Sequence, residues 1–193
     1  MHSGTKGIAG HSDTLLGLVT ASPFTERGRT VGPLLRTVQT AVGGVASSLD
    51  SWLAVRGIRT LSVRVERQCS TALQVAEFLE RHALVSGVHY PGLEAHPQHS
   101  IAKEQMSGGF GSVLSFEMAD EVEATALAAA LRTIQRATSL GGTETLIEHR
   151  SSIEPPDRTT SPPGLLRLSI GLEEPQDLIS DLEKALQITK EVV

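Results

Sequence analysis

The chain opens on Ser3-Gly4-Thr5-Lys6-Gly7-Ile8-Ala9-Gly10-His11-Ser12-Asp13, which sets two hydroxyls beside one lysine. A lysine amine attacks a carbonyl carbon when it sheds its proton, which burial or neighbouring positive charge promotes. Ser and Thr hydroxyls donate hydrogen bonds to phosphate oxygens, and glycines at 4, 7 and 10 let the backbone pass close to a ligand. The run therefore suits an aldehyde cofactor with a phosphate tail, held through an imine at Lys6. Spacing alone also fits a plain surface turn. Arg167, within Leu165-Leu166-Arg167-Leu168-Ser169-Ile170, falls on the strand face opposite Leu166 and Leu168, where an arginine is either solvated or a grip for an anion. His96 and His99 lack a cysteine or carboxylate partner and Pro97 marks a helix start, so no metal site is expected. Cys69 sits in a helical pattern with no histidine near it in sequence and reads as a small core hydrophobe.

The elements that must carry these residues follow from apolar spacing. Residues 16–20 read as a short strand and 22–28 as a turn and basic loop. Gly43-Gly44 and the small residues after it mark a bend between helices, with Ser51 as a candidate cap for the helix that follows. Leu61, Val65, Cys69, Ala72, Ala76 and Leu79 recur at three and four, predicting one long helix over 58–82 that joins two domains. Arg64, Glu66, Arg67, Glu77, Glu80 and Arg81 are assigned to its solvated faces. Beyond it, strands at 85–90, 113–118 and 165–170 alternate with helices from Pro97 toward Met106, over 121–136 and from Pro175 onward. The stretch Glu154 to Pro163, with four prolines, must be a loop. The expected domains are 1–58, an incomplete piece of a larger domain, and 59–193, an α/β domain that includes the linking helix. Its sheet should be mainly antiparallel with helices on one side, because the proline-rich loop interrupts a regular crossover pattern.

With 193 residues, 39% hydrophobic and 20% charged, the chain suits a globular protein with one solid core. A net charge of -5 and a pI near 5.8, with dispersed Lys and Arg, exclude a basic stripe for nucleic acid. No apolar stretch is long enough to span a bilayer, and no secretory or transit pattern is expected at the N-terminus. A cytoplasmic protein with small-molecule or protein partners is the expectation.

Five ordered blocks carry a resemblance to a known family. They are the opening run; Leu49-Asp50-Ser51-Trp52-Leu53 with Arg56-Gly57; Tyr90-Pro91-Gly92-Leu93 with His96-Pro97-Gln98-His99; Ser139-Leu140-Gly141-Gly142 with Glu144 through His149; and Leu165 through Glu173. Together they resemble the pyridoxal phosphate enzymes of cysteine and methionine metabolism, such as cystathionine gamma-synthase, cystathionine gamma-lyase, cystathionine beta-lyase and methionine gamma-lyase. The blocks correspond to about the C-terminal half of a family subunit. The resemblance implies the end of a fold type I cofactor domain followed by a small α/β domain, and pyridoxal 5'-phosphate as cofactor.

It also implies roles residue by residue. Lys6 matches the lysine that forms the internal aldimine and later moves protons between substrate carbons. Ser3 and Thr5 match ligands of the cofactor phosphate. Arg167 matches the arginine that grips the substrate α-carboxylate, and Ser139 matches a residue that orients the lysine and that carboxylate. Glu144 stands where members vary with side-chain preference, while His11 and His149 follow the pattern without a reaction step. The implied activity makes or breaks a carbon-sulfur bond of a sulfur amino acid such as cystathionine, as a lyase or transferase in a cytoplasmic homotetramer. Gly7 stands where tyrosine is common, Leu49 where phenylalanine is frequent, and Arg150 where many members have proline, none of them expected to touch the chemistry. The family places the aspartate on the pyridine nitrogen and the stacking aromatic upstream of its lysine. A site on this chain is therefore expected to be complete only with an N-terminal half. The alternative is a truncated, inactive paralogue that acts as a folded interaction module, associating with full-length relatives.

Overall fold

The computed structural model describes residues 1–155 and 157–192, so Pro156, one of the four prolines in the expected loop, lies outside the described residues. The chain divides into two compact units, Met1–Leu61 and Ser62–Val193.

In the first unit, β1 (His2–Ser3) pairs antiparallel with β2 (Gly17–Leu18), and the opening motif forms a wide helical turn over Gly4–Ile8 between them. Two helices follow, α1 (Glu26–Val42) and α2 (Ser48–Ile58). Thr25 caps α1 by accepting from the Gly28 amide, so the expected basic loop is already helical by Glu26. Gly43, at φ 77°, ends α1 in the left-handed conformation that a Cβ would oppose. The cap of α2 is Ser47, whose Oγ accepts from the Asp50 amide at 3.0 Å, and not Ser51, which lies inside the helix.

The second unit begins at α3 (Leu61–Glu80). The long helix expected over 58–82 is α3, over Leu61–Glu80. At the end of α2 the Arg59 and Thr60 amides bond to the carbonyls of Arg56 and Gly57, tightening the last turn and letting α3 start afresh at Leu61. Then come β3 (Gly87–His89), α4 (His99–Gln105), β4 (Val113–Glu117), α5 (Glu121–Ala130), β5 (Gln135–Arg136), β6 (Leu146–His149), the one-turn α6 (Arg150–Ile153), β7 (Leu165–Ser169) and α7 (Pro175–Val192). The helix expected over 121–136 stops at Ala130. Buried Asp181 on α7 accepts the amides of Arg132, Thr133 and Ile134 at 2.9–3.2 Å, which peels that backbone away from the helix and feeds it into β5.

The sheet has the order β3-β4-β7-β6-β5 and is antiparallel except for the β5/β6 pair. The α/β class and the mainly antiparallel sheet are as expected; β6, a fully buried strand, was not foreseen. One core joins the sheet to three helices: Leu114, Phe116, Ile147, Leu166 and Leu168 meet Val75 and Leu79 of α3, Leu127 of α5, and Leu178, Leu182 and Leu186 of α7. Each of these side chains contributes roughly 1.5–3 kcal/mol when fully buried. Cys69 is buried as a core residue, but Arg64, expected to be solvated, is also buried, and burial pulls its guanidinium below its ordinary pKa. Because side chains alternate along a strand, the register that puts Leu166 and Leu168 into the core puts Ser115, Arg167 and Glu148 side by side on the opposite face of β4, β7 and β6. That row positions the site in this unit.

Candidate active site

Lys6 sits where the wide turn breaks. Its backbone (φ -85°, ψ -141°) is not helical, while the Ala9 amide reaches back to the Gly4 carbonyl at 3.0 Å and the Gly10 amide to the Lys6 carbonyl at 2.9 Å. Such wide turns concentrate at functional sites because they re-aim one side chain out of a regular helix. Thr5 Oγ1 accepts the Leu16 amide at 2.8 Å, and the Gly4 amide donates to the Leu16 carbonyl at 2.6 Å, so the turn is tied to the strand that follows it. Ser3, at the end of β1, is exposed, whereas Thr5 and Lys6 are half-buried.

Two further contacts brace the turn. Asp50 accepts from Thr14 Oγ1 and from Ser47 Oγ, both at 2.6 Å, joining the start of α2 to the loop after the motif. The hydroxyls of Ser47 and then Thr14 hold the Asp50 carboxyl below its ordinary pKa. On α2, a Cβ at Gly57 would lie 2.1 Å from the Ala9 carbonyl oxygen, so only glycine allows this approach of helix to turn. The His11 ring donates from Nδ1 to the Ala9 carbonyl at 2.7 Å, a bond that keeps the end of the turn in place.

In the second unit, the Arg167 Nη2 donates to the Ser139 carbonyl at 2.8 Å. Ser139 adopts φ 97°, a conformation that non-glycine residues rarely take, and its loop is held by the Gly141 amide on Ser169 Oγ (3.0 Å) and by Gln68 Nε2 on the Gly142 carbonyl (2.7 Å). Glu144 is half-buried in the segment leading to β6. Ser3, Thr5 and Lys6 are thus gathered in the first unit, and Ser139 with Arg167 in the second.

Sequence reasoning missed Glu148 and Arg150. Glu148 is the register partner of Arg167, and its side chain is only 3% exposed. Its Oε2 forms a salt bridge with Arg167 Nη2 at 2.9 Å, outside hydrogen-bond geometry, while the same nitrogen donates to the Ser139 carbonyl. Its Oε1 takes the Arg150 Nη1 at 2.5 Å. Arg150 reaches Glu154 at 3.3 Å from Nη2, and Glu154 in turn accepts from Ser161 Oγ at 2.5 Å and from the Thr160 amide at 2.9 Å. Burial lowers the Arg167 pKa, Glu148 opposes that and Arg150 reinforces it. The hydrogen bond to Glu148 raises that of Arg150. The legible signal was an acid in the otherwise apolar run Leu146-Ile147-Glu148, one strand away from an arginine. His149 faces the core side, with Nε2 donating to the Pro163 carbonyl and Nδ1 meeting Ser152 Oγ, both at 2.6 Å, a staple for the loop that follows.

The model of the Cys/Met metabolism PLP-dependent enzyme family matches residues 1–187. The chain is 43% identical to the cystathionine beta-lyase of Lactococcus lactis subsp. cremoris (strain MG1363), over 97% of this chain and 50% of that protein. It is 40% identical to the L-methionine gamma-lyase of Fusobacterium nucleatum subsp. polymorphum, over 97% and 48%. Among solved structures, metB from Corynebacterium glutamicum superposes with a TM-score of 0.85 at 36% identity, over 96% of this chain and 48% of that one. The chain spans about half the length of the relatives it matches.

Proposed function

This chain belongs to the Cys/Met metabolism PLP-dependent enzyme family, whose cofactor is pyridoxal 5'-phosphate, and on that premise we propose that it serves carbon-sulfur bond chemistry on a sulfur amino acid such as cystathionine. The residues present fit the cofactor: an amine at the break of a braced turn suits its aldehyde, and the exposed Ser3 hydroxyl suits its phosphate. When bound, the cofactor supplies an electron sink for the pair left on the substrate α-carbon. Lys6 is the tether, and its Nζ carries the proton moved to and from the substrate. Thr5 keeps the turn in register through Leu16, and with Ser3 it would hold the cofactor phosphate. Arg167 binds the α-carboxylate as a two-pronged donor, Ser139 holds that arginine by its carbonyl, and Glu144 lies toward the substrate side chain.

The observation that carries this reading is the 2.8 Å bond from Arg167 to the Ser139 carbonyl, which joins two residues, 28 positions apart, that the family resemblance assigns to gripping and orienting the substrate carboxylate. Exposed apolar side chains on α1 and α2, among them Leu34, Val38, Trp52 and Val55, suit a cytoplasmic homo-oligomer or association with full-length relatives. Among the described residues, no helix is long and apolar enough to cross a membrane.

The chain is mixed with pyridoxal phosphate, reduced with borohydride and digested with trypsin. A pyridoxyl group on the peptide that reads through Lys6 to Arg27 is expected, and is lost in Lys6→Ala. Labelling spread over other lysines, with Lys6 unmodified, overturns the assignment and leaves the interaction-module reading.

A further inference from the structure

Arg167 lies against a buried carboxylate that could disable it. A glutamate one strand away, in register, with a side chain 3% exposed, has every electrostatic reason to close a bidentate pair with the guanidinium and so consume the donors a ligand would need. The geometry found is different. Glu148 Oε1 accepts the hydrogen bond of Arg150, while Oε2 makes a 2.9 Å salt bridge to Arg167 Nη2 outside hydrogen-bond geometry. Arg167 Nη2 is turned to the Ser139 carbonyl, and the buried Arg167 Nε has no hydrogen-bond partner among the described residues. Arg167 is therefore paired with Glu148 through one carboxylate oxygen only, the other being held by Arg150.

What holds Glu148 in that posture is Arg150. It is fixed at its far end by Glu154, which the Ser161 hydroxyl and the Thr160 and Ser161 amides hold at 2.5–3.2 Å. The order is Arg167, Glu148, Arg150, Glu154, then the backbone of the loop at 160–161. Only the two ends of β6 and β7 and the single turn of α6 are needed to build it, because Arg150 follows β6 directly. Arg150 also occupies a position where the family resemblance expects proline in many members, a residue without a side chain able to take this bond.

We propose that Arg150 is a positioning residue that holds Glu148 to a one-oxygen contact with Arg167 and so keeps the rest of the Arg167 guanidinium open for a carboxylate ligand. This rests on the reading of Arg167 as the carboxylate grip. Removing Arg150 frees Glu148 Oε1 to turn onto Arg167, and removing the Glu148 charge as well cancels the effect. A residue that served only to hold the fold would not show that reversal.

The test is the rate at which phenylglyoxal modifies Arg167 in the full chain, followed by peptide mass spectrometry in folded samples. Arg150→Ala should slow labelling of Arg167 severalfold, Arg150→Lys should stay near the parent, and Glu148→Gln should raise it. Adding Glu148→Gln to Arg150→Ala should restore at least the parent rate. An unchanged or faster rate in Arg150→Ala overturns the proposal, as does a double variant as slow as the single one. If Arg150→Ala does not fold, Arg150→Gln, which keeps the length of the side chain without its charge, takes its place, a rate at or above the parent overturning the proposal. The readout uses no pyridoxal phosphate, so failure of cofactor attachment at Lys6 and failure here are seen separately.

Discussion

The two units carry their chemistry on different kinds of support. In the second, the row of Ser115, Arg167 and Glu148 stands on the back of strands whose other face is a closed core, with Phe116, Leu166 and Leu168 fully buried. In the first, α1 contains no buried residue, and Leu34, Val38, Val42, Leu49, Trp52 and Val55 are all more than half exposed. Its turn at Lys6 is held instead by hydrogen bonds through Thr5, Asp50 and His11 and by the approach of Gly57. A site backed by apolar burial draws on a cooperative core, whereas one backed by a few polar bonds opens locally at low free energy. The proposed carboxylate grip is built the first way and the proposed cofactor lysine the second.

The sharpest break in that contrast comes from truncating one side chain in each unit. Phe116→Ala should cost about 3–5 kcal/mol in denaturant unfolding, because it leaves a cavity in the middle of the sheet. Leu34→Ala, on a helix whose side chains face outward, should stay within about 0.5 kcal/mol. Hydrogen exchange should match, with amides of β4 and β7 among the slowest and those of α1 among the fastest. Comparable costs at both positions, or equal protection, would erase the distinction.

A smaller effect probes the polar support alone. Gly57→Ala places a Cβ 2.1 Å from the Ala9 carbonyl, so either α2 or the turn carrying Lys6 must move. Pyridoxyl labelling of Lys6 should fall severalfold while far-ultraviolet circular dichroism is kept. Labelling at the parent level would mean that the approach of α2 does not position the lysine.

Much of the fold was legible because its signals are periodic. Leu114, Phe116 and Met118 alternate, Leu178, Leu182 and Leu186 recur at four, and both patterns became the core. Boundaries were lost where tertiary contacts overrule local preference. Ile134 continued a helical rhythm, yet Asp181, 47 residues away, takes its amide and the two before it. At the site, the lysine motif and the Ser139 and Arg167 blocks stood out as strings, but Glu148 meets Arg167 only through strand register, and Arg150 only through Glu148. Such a relay has no sequence period, and a departure from the family pattern at 150 looked innocent until the register was known.

The finest distinction between the units lies in how each restrains a carboxylate under acid. Both units hold one below its ordinary pKa through neutral donors, Asp50 by the Ser47 and Thr14 hydroxyls, Glu154 by the Ser161 hydroxyl and the Thr160 and Ser161 amides. The Glu154 value is about 2 against an ordinary 4.5. A depressed folded pKa means the contribution is complete above the unfolded value and disappears as pH falls, so the loop at 154–161 should loosen between about pH 4.5 and 2. The amide resonances of Thr160 and Ser161 should then titrate with a midpoint near 2, and Glu154→Gln should abolish the titration. A midpoint near 4.5 would mean that Glu154 is free of its loop, and only the first unit would then restrain its acid.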